Sequence, residues 1–171
     1  IRSITSTAKI FEIIDEEIDV SDAENAVETE IDGTVEFKNV SFGYDSHKNV
    51  LEDISFTAKK GEMIGIVGHS GAGKSTLINL VMRLYDPNSG SILIDGRDIK
   101  EISQHSLRKN MGVVLQETYL FTGTVFDNIS YAKRDATRDE VIRAAKLSGA
   151  HKFIIKLPDA YNTVIGERGY T

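Results

Sequence analysis

Residues 68 to 76 read GHSGAGKST, and no other stretch restricts the possible folds as much. Gly68, Gly73, Lys74 and Ser75 satisfy the spacing G-x-x-x-x-G-K-[ST] of a phosphate-binding loop. That motif requires a strand before it and a helix after it. The run Met63 to Val67 is apolar on both faces and predicts a central strand buried in an α/β sheet. Leu77, Leu80, Val81 and Leu84 predict a helical stripe that stops before Pro87. An accidental glycine-rich turn would match the four fixed positions in roughly one chain of this length in a hundred, and the flanks make that reading rarer still.

The residue types follow from the chemistry. Glycine lets the backbone reach positive φ and approach a phosphate without a Cβ in the way. Exposed N–H groups and the start of the helix at Ser75 then form a nest for an anion. Lys74 is expected to set its ammonium against the β- and γ-phosphates, Ser75 to give its hydroxyl to Mg²⁺, and Thr76 to reach a more internal phosphate. His69, Ser70, Gly71 and Ala72 complete the cradle, with the His69 side chain read as a loop group and not as a base.

The bulk of the chain narrows the class. Its 171 residues, 40% apolar, are enough for one domain with a core. A net charge of −6 argues against a protein built to hold nucleic acid. No cysteine is present, so disulfides and thiolate metal sites are excluded. No apolar run approaches the ~18–20 residues that cross a bilayer. Ile4, Ala8, Phe11, Ile14 and Ile18 recur at helical spacing and predict a short amphipathic helix. Residues 19 to 33, acidic and without a basic side chain, read as a linker or surface loop.

Further on, Val35, Phe37, Val40, Phe42 and Tyr44 predict a strand whose register slips at Asn39, a bulge. Ile54 to Ala58 and Ser91 to Asp95 predict two more strands, the latter ending in an Asp95-Gly96 turn. Ser103 to Lys109 reads as a short helix and Met111 to Leu115 as a second buried strand. Thr137 and Glu140 form a capping box, opening a helix that ends at Gly149.

A phosphate loop alone does not choose among kinases, GTPases, helicases and transporters. The segments VEFKNVSFGY, VLEDISFTAKKGEMIGIVGHSGAGKSTL, SGSILIDGRDI and LQETYLFTGTVFDNI together resemble the nucleotide-binding domain of an ABC transporter. The last is similar to the exporter branch, and AKIFEIIDE resembles the connector that follows the last transmembrane helix there. The resemblance covers essentially the whole chain. It implies an α/β P-loop NTPase core with an antiparallel β subdomain, present here in part, behind a connector helix and acidic linker (residues 1–32) and followed by the partial ATP-binding domain (33–171). It also implies ATP and Mg²⁺ as cofactors, Tyr44 stacking on adenine, and Gln116 reaching Mg²⁺ and the attacking water. Residues 117 to 130, with Tyr119, Leu120, Phe121 and Phe126, would face the membrane domain. A second nucleotide-binding domain would close the ATP sandwich, at the cytoplasmic side of a membrane.

Three elements of the family pattern have no match. The signature Leu-Ser-Gly-Gly-Gln would follow Gly166-Glu167-Arg168-Gly169, and Leu147-Ser148-Gly149-Ala150 only imitates it at a helix end. No apolar strand leads into Asp-Glu; Ile92-Leu93-Ile94-Asp95 is followed by Gly96, and Ile13-Ile14-Asp15-Glu16 lies in a helical stripe. No histidine follows Gly169. With Ile1 at the start, the expectation is a piece of a larger protein that binds Mg-ATP weakly and lacks a general base. Loss of the Asp-Glu strand is expected to leave apolar surface and unpaired backbone beside the phosphate loop. Two other classes stay open: a soluble, non-transport ABC ATPase, and a non-catalytic regulatory half-domain.

Overall fold

The computed structural model describes residues 9–11, 14–15, 19–45, 48–115 and 119–166. The chain forms two compact units, Ile1–Gly112 and Val113–Thr171.

The first unit is organised by a four-stranded antiparallel sheet. Strand β1 (Val35–Phe42) lies between β2 (Leu51–Ala58) and β3 (Ser89–Ile94), and β4 (Arg97–Asp98) pairs with the outer side of β3. Phe37, Val40 and Phe42 are buried while Lys38 and Asn39 both face solvent, so inward alternation breaks for one step. The register between β1 and β2 shifts there, and Asn39 sits at φ 48. This is the expected bulge: one extra residue restores the apolar face after the slip. Phe37 also stacks on Phe56 of β2, with ring centroids 4.7 Å apart.

Helix α1 (Lys74–Val81) leaves the glycine loop and buries Thr76 and Leu80. Leu80 joins a core of Phe37, Val40, Phe42, Leu51, Ile92, Ile94, Ile99, Ile102 and Leu107. Full burial of one such leucine contributes about 1.5–3 kcal/mol. The helix ends earlier than the stripe suggested. Met82 is its C-cap, Arg83 turns into the left-handed region at φ 50, and Leu84 is partly exposed beyond it. A short 3₁₀ turn (Ile99–Glu101) then leads to helix α2 (Gln104–Lys109), where the Ser103 side chain accepts from the Ser106 amide as N-cap.

Residues 19 to 34 form no helix or long strand, yet they are bound along the unit. Val27 bridges to Ile102, and Ser106 Oγ both accepts from the Thr29 amide and donates to its carbonyl. Asp95 accepts from the amides of Asp32, Gly33 and Thr34 at 2.7, 3.1 and 2.8 Å. The carboxylate that imitated a catalytic aspartate is thus occupied by a loop clamp. Asp95 and Gly96, at φ 51 and 81, form the tight turn between β3 and β4. Of the expected N-terminal helix, most lies outside the described residues; Phe11 and Ile14 are exposed.

The second unit is small and mostly helical. A two-stranded ribbon of β5 (Gly123–Thr124) and β6 (Val164–Ile165) accompanies α3 (Val125–Ser130), α4 (Arg138–Leu147) and α5 (His151–Ile154). Val125, Val141, Ala145, Ile154 and Tyr161 form its core. The Thr137–Glu140 box is present as expected, and Gly149 at φ 77 stands just past the end of α4. Gly149 is therefore helix punctuation. A second box at Thr124 and Asp127 opens α3.

Two expectations fail. Neither Met63–Val67 nor Met111–Leu115 is a strand. Met63 is 98% exposed, Val67 93% and Val114 95%. An apolar run becomes a buried strand only when a neighbour completes its ladder and its faces are covered. Among the described residues no strand pairs with either run, and apart from Met111, which packs against the core, their large apolar side chains are exposed.

Candidate site: the glycine loop and Tyr44

The loop from Gly68 to Gly73 turns on two left-handed glycines, Gly71 at φ 80 and Gly73 at φ 86. At Gly73 the need is double. A Cβ there would come within 2.6 Å of Leu51 Cδ2 and 3.2 Å of the Val50 carbonyl oxygen, so only hydrogen fits. Gly71 has open space around it. The start of β2 thus presses the loop from beneath while its outer side faces solvent.

Lys74 Nζ bends back over the loop and donates to the carbonyls of Gly68 and His69, at 2.9 and 2.8 Å. Among the described residues no carboxylate lies within salt-bridge range of it. Both groups that hold the ammonium are neutral carbonyls, so the hydrogen bonds bring no counter-charge to the loop mouth. His69 Nδ1 is 2.9 Å from the Ser70 carbonyl, which places a proton on that nitrogen.

Helix α1 begins without a side-chain cap, its N-cap being Gly73, and carries no acidic residue in its first turn. The helices α2, α3 and α4 each have a hydroxyl cap. The first N–H groups of α1 therefore retain unfilled hydrogen-bonding capacity and the positive end of the helix dipole. Ser75 is exposed in that turn and Thr76 is buried. Uncapped amides, an unneutralised ammonium and an exposed hydroxyl suit a phosphate with a hard cation. The donor set fits Mg-ATP.

Tyr44 lies just past β1 and comes to the same helix. Its hydroxyl donates to Thr76 Oγ1 at 3.2 Å and accepts from Asn79 Nδ2 at 3.4 Å. Its ring meets Phe42 and Tyr85 edge-on, at 5.0 and 5.1 Å, and remains 53% exposed. An aromatic surface is thus tethered to the phosphate-loop helix through the Thr76 hydroxyl. Asn79 and Tyr85 were not among the expected residues. Asn79 lies one turn beyond Thr76 on the same helix face, the only sequence signal for it.

Gln116 and residues 167 to 169 lie outside the described residues. Tyr119, Leu120 and Phe121 are solvent-facing, whereas Phe126 packs against the core of the second unit. Phe121 stacks on Tyr131 with centroids 4.4 Å apart.

Comparison with known proteins identifies the family. The ABC transporter family model matches residues 51–167. The chain is 46% identical over 170 residues to the ABC transporter ATP-binding protein YfiC of Bacillus subtilis, covering 99% of this chain and 28% of that protein. It is 45% identical over 169 residues to the ATP-dependent lipid A-core flippase of Syntrophus aciditrophicus, covering 98% of this chain and 28% of the relative. The solved structure of a bacterial Atm1-family ABC exporter with ATP bound superposes with a TM-score of 0.91 at 44% identity, over 98% of this chain and 30% of that one. The chain thus spans less than a third of the length of these relatives. With its family model, its fold and its exporter-type relatives in agreement, the chain belongs to the ABC transporter family and carries part of its ATP-binding domain.

Proposed function

We propose that this chain is the ATP-holding part of an exporter, and that it holds Mg-ATP through Gly68 to Thr76 and Tyr44. The observation that carries this reading is the uncapped start of α1 beneath a lysine that has no carboxylate partner among the described residues. When nucleotide enters, Lys74 exchanges its two loop carbonyls for phosphate oxygens, a charge-assisted contact stronger than the neutral ones it leaves. The amides of Gly71 to Thr76 would donate to the same oxygens, and the exposed Ser75 hydroxyl would hold Mg²⁺. The ion supplies charge neutralisation between the phosphates when bound. Tyr44 offers its exposed ring face to the base.

Binding is separated from turnover. Hydrolysis needs a positioned water and a base as well as a cradle, and this chain contributes the cradle, the metal hydroxyl and Gln116 only. It therefore binds Mg-ATP weakly and does not hydrolyse it by itself. In the working assembly a second nucleotide-binding domain closes the site and a membrane domain receives the motion, at the cytoplasmic face of the membrane. Titration calorimetry with Mg-ATP tests the reading. Saturable heat is expected from the chain and none from Lys74→Ala; equal heat from both would place the nucleotide elsewhere.

A further inference from the structure

Arg83 is out of place by ordinary rules. It follows the C-cap of α1 at φ 50, where glycine is the favoured residue, and its side chain is buried in the first unit at 2% exposure. A left-handed backbone and a buried charge both oppose folding unless the guanidinium is fully engaged. It is engaged on four partners. Nε donates to Asp86 at 3.3 Å, Nη1 to Asp22 at 3.4 Å and to the Ile102 carbonyl at 3.2 Å, and Nη2 to the Ser21 carbonyl at 3.0 Å.

Two of those partners belong to the acidic lead-in, more than 60 residues earlier in the chain. Gln104 grips the same place, its amide donating to Asp22 and its side chain to the Val20 carbonyl. Arg108 closes the other side by donating to the Met82 and Arg83 carbonyls. The lead-in is therefore bolted to the C-terminal end of the helix whose N-terminal end is the phosphate loop. That helix is eight residues, about 12 Å long. Asp19 and Val20, next to the clamped residues, also form one wall of a cavity of about 230 Å³ whose other walls include Tyr44, Tyr85 and Asp86.

We propose that Arg83 is a positioning residue that couples the lead-in segment, residues 19 to 22, to nucleotide binding at the opposite end of α1 and at Tyr44. This rests on the proposed nucleotide site. If the clamp and the nucleotide favour the same arrangement of α1 and Tyr44, each strengthens the other by the same factor. Nucleotide on the loop then tightens the hold on residues 19 to 22, and loosening that hold weakens nucleotide.

Hydrogen exchange of the full chain with and without Mg-ATP tests this, with calorimetry on the same samples. The variants are Arg83→Gly, which suits the left-handed backbone but deletes the clamp, and Asp22→Ala, a partly exposed change that leaves the core intact. In the unaltered chain nucleotide should slow exchange at residues 19 to 24 by about fivefold or more. Both variants should lose that slowing and bind Mg-ATP about five- to tenfold more weakly. A merely structural arginine would lower stability yet leave the nucleotide-dependent slowing in Asp22→Ala. That result, or nucleotide binding without any slowing in the unaltered chain, overturns the coupling. Absence of binding to the unaltered chain overturns the nucleotide site itself and the coupling with it.

Discussion

Replacing Gly73 by alanine tests how β2 holds the phosphate loop. Two costs can be separated. The backbone sits at φ 86 and ψ 9, where an L-residue pays roughly 1–2 kcal/mol. The new Cβ would also stand 2.6 Å from Leu51 Cδ2, roughly 1 Å inside the normal contact distance of about 3.5–4.0 Å. Leu51 is part of the buried core, so it cannot withdraw freely. Overpacking of this kind costs about 1–3 kcal/mol, giving a total near 2–5 kcal/mol. Gly71→Ala provides the control, because φ is 80 there but nothing lies within 4 Å. It should cost only the backbone part. Urea unfolding with unchanged slope reads both values. Leu51→Val removes the clashing methyl, so the double variant Leu51→Val/Gly73→Ala should be less destabilised than the two single changes added together. Equal costs at Gly71 and Gly73, or strict additivity with Leu51→Val, would refute the packing explanation.

Asp95→Ala removes the acceptor of three amides and should destabilise the first unit by about 2 kcal/mol, read as a lowered urea midpoint. Burial opposes ionisation of Asp95, but the amides of Thr34, Asp32 and Gly33 outweigh it and, with the Lys60 charge, hold its carboxyl below the usual range. In the second unit, Glu140 is pulled down from 4.5 to about 2, first by the Lys133 ammonium and then by the Thr137 amide and hydroxyl. A lowered carboxylate pKa stabilises the fold above the unfolded value and loses that effect as pH falls through the folded one. Stability of the second unit should therefore drop between about pH 4.5 and about 2, and Glu140→Gln should flatten that part of the profile in thermal melts.

Local signals were legible in the sequence. The alternation in β1 located both the strand and its bulge, and the Thr137–Glu140 spacing marked the start of α4. Thr124 carried the same signal with Asp127 in the third position, a shorter acid than the usual Glu or Gln. The glycine loop was legible because its spacing is a backbone requirement. What depended on distant partners was not. Met63–Val67 has the composition of a buried strand, but a ladder is a property of two segments, and its neighbour is not among the described residues. Nothing in the sequence singles out Arg83. Its role depends on Ser21 and Asp22, which chain topology and not spacing brings to it. Gly96 sets Asp95 apart from the aspartate of an Asp-Glu strand, while its work at Asp32 to Thr34 needed the fold.

The most direct test of the central claim is an amide NMR titration of the chain with Mg-ATP and, separately, with Mg-adenosine. The phosphate cradle predicts saturable shifts concentrated at Gly71 to Thr76 with ATP, with the triphosphate-dependent part missing for adenosine. Shifts of equal size with both ligands, or saturable binding that leaves Gly71 to Thr76 unmoved, would contradict it.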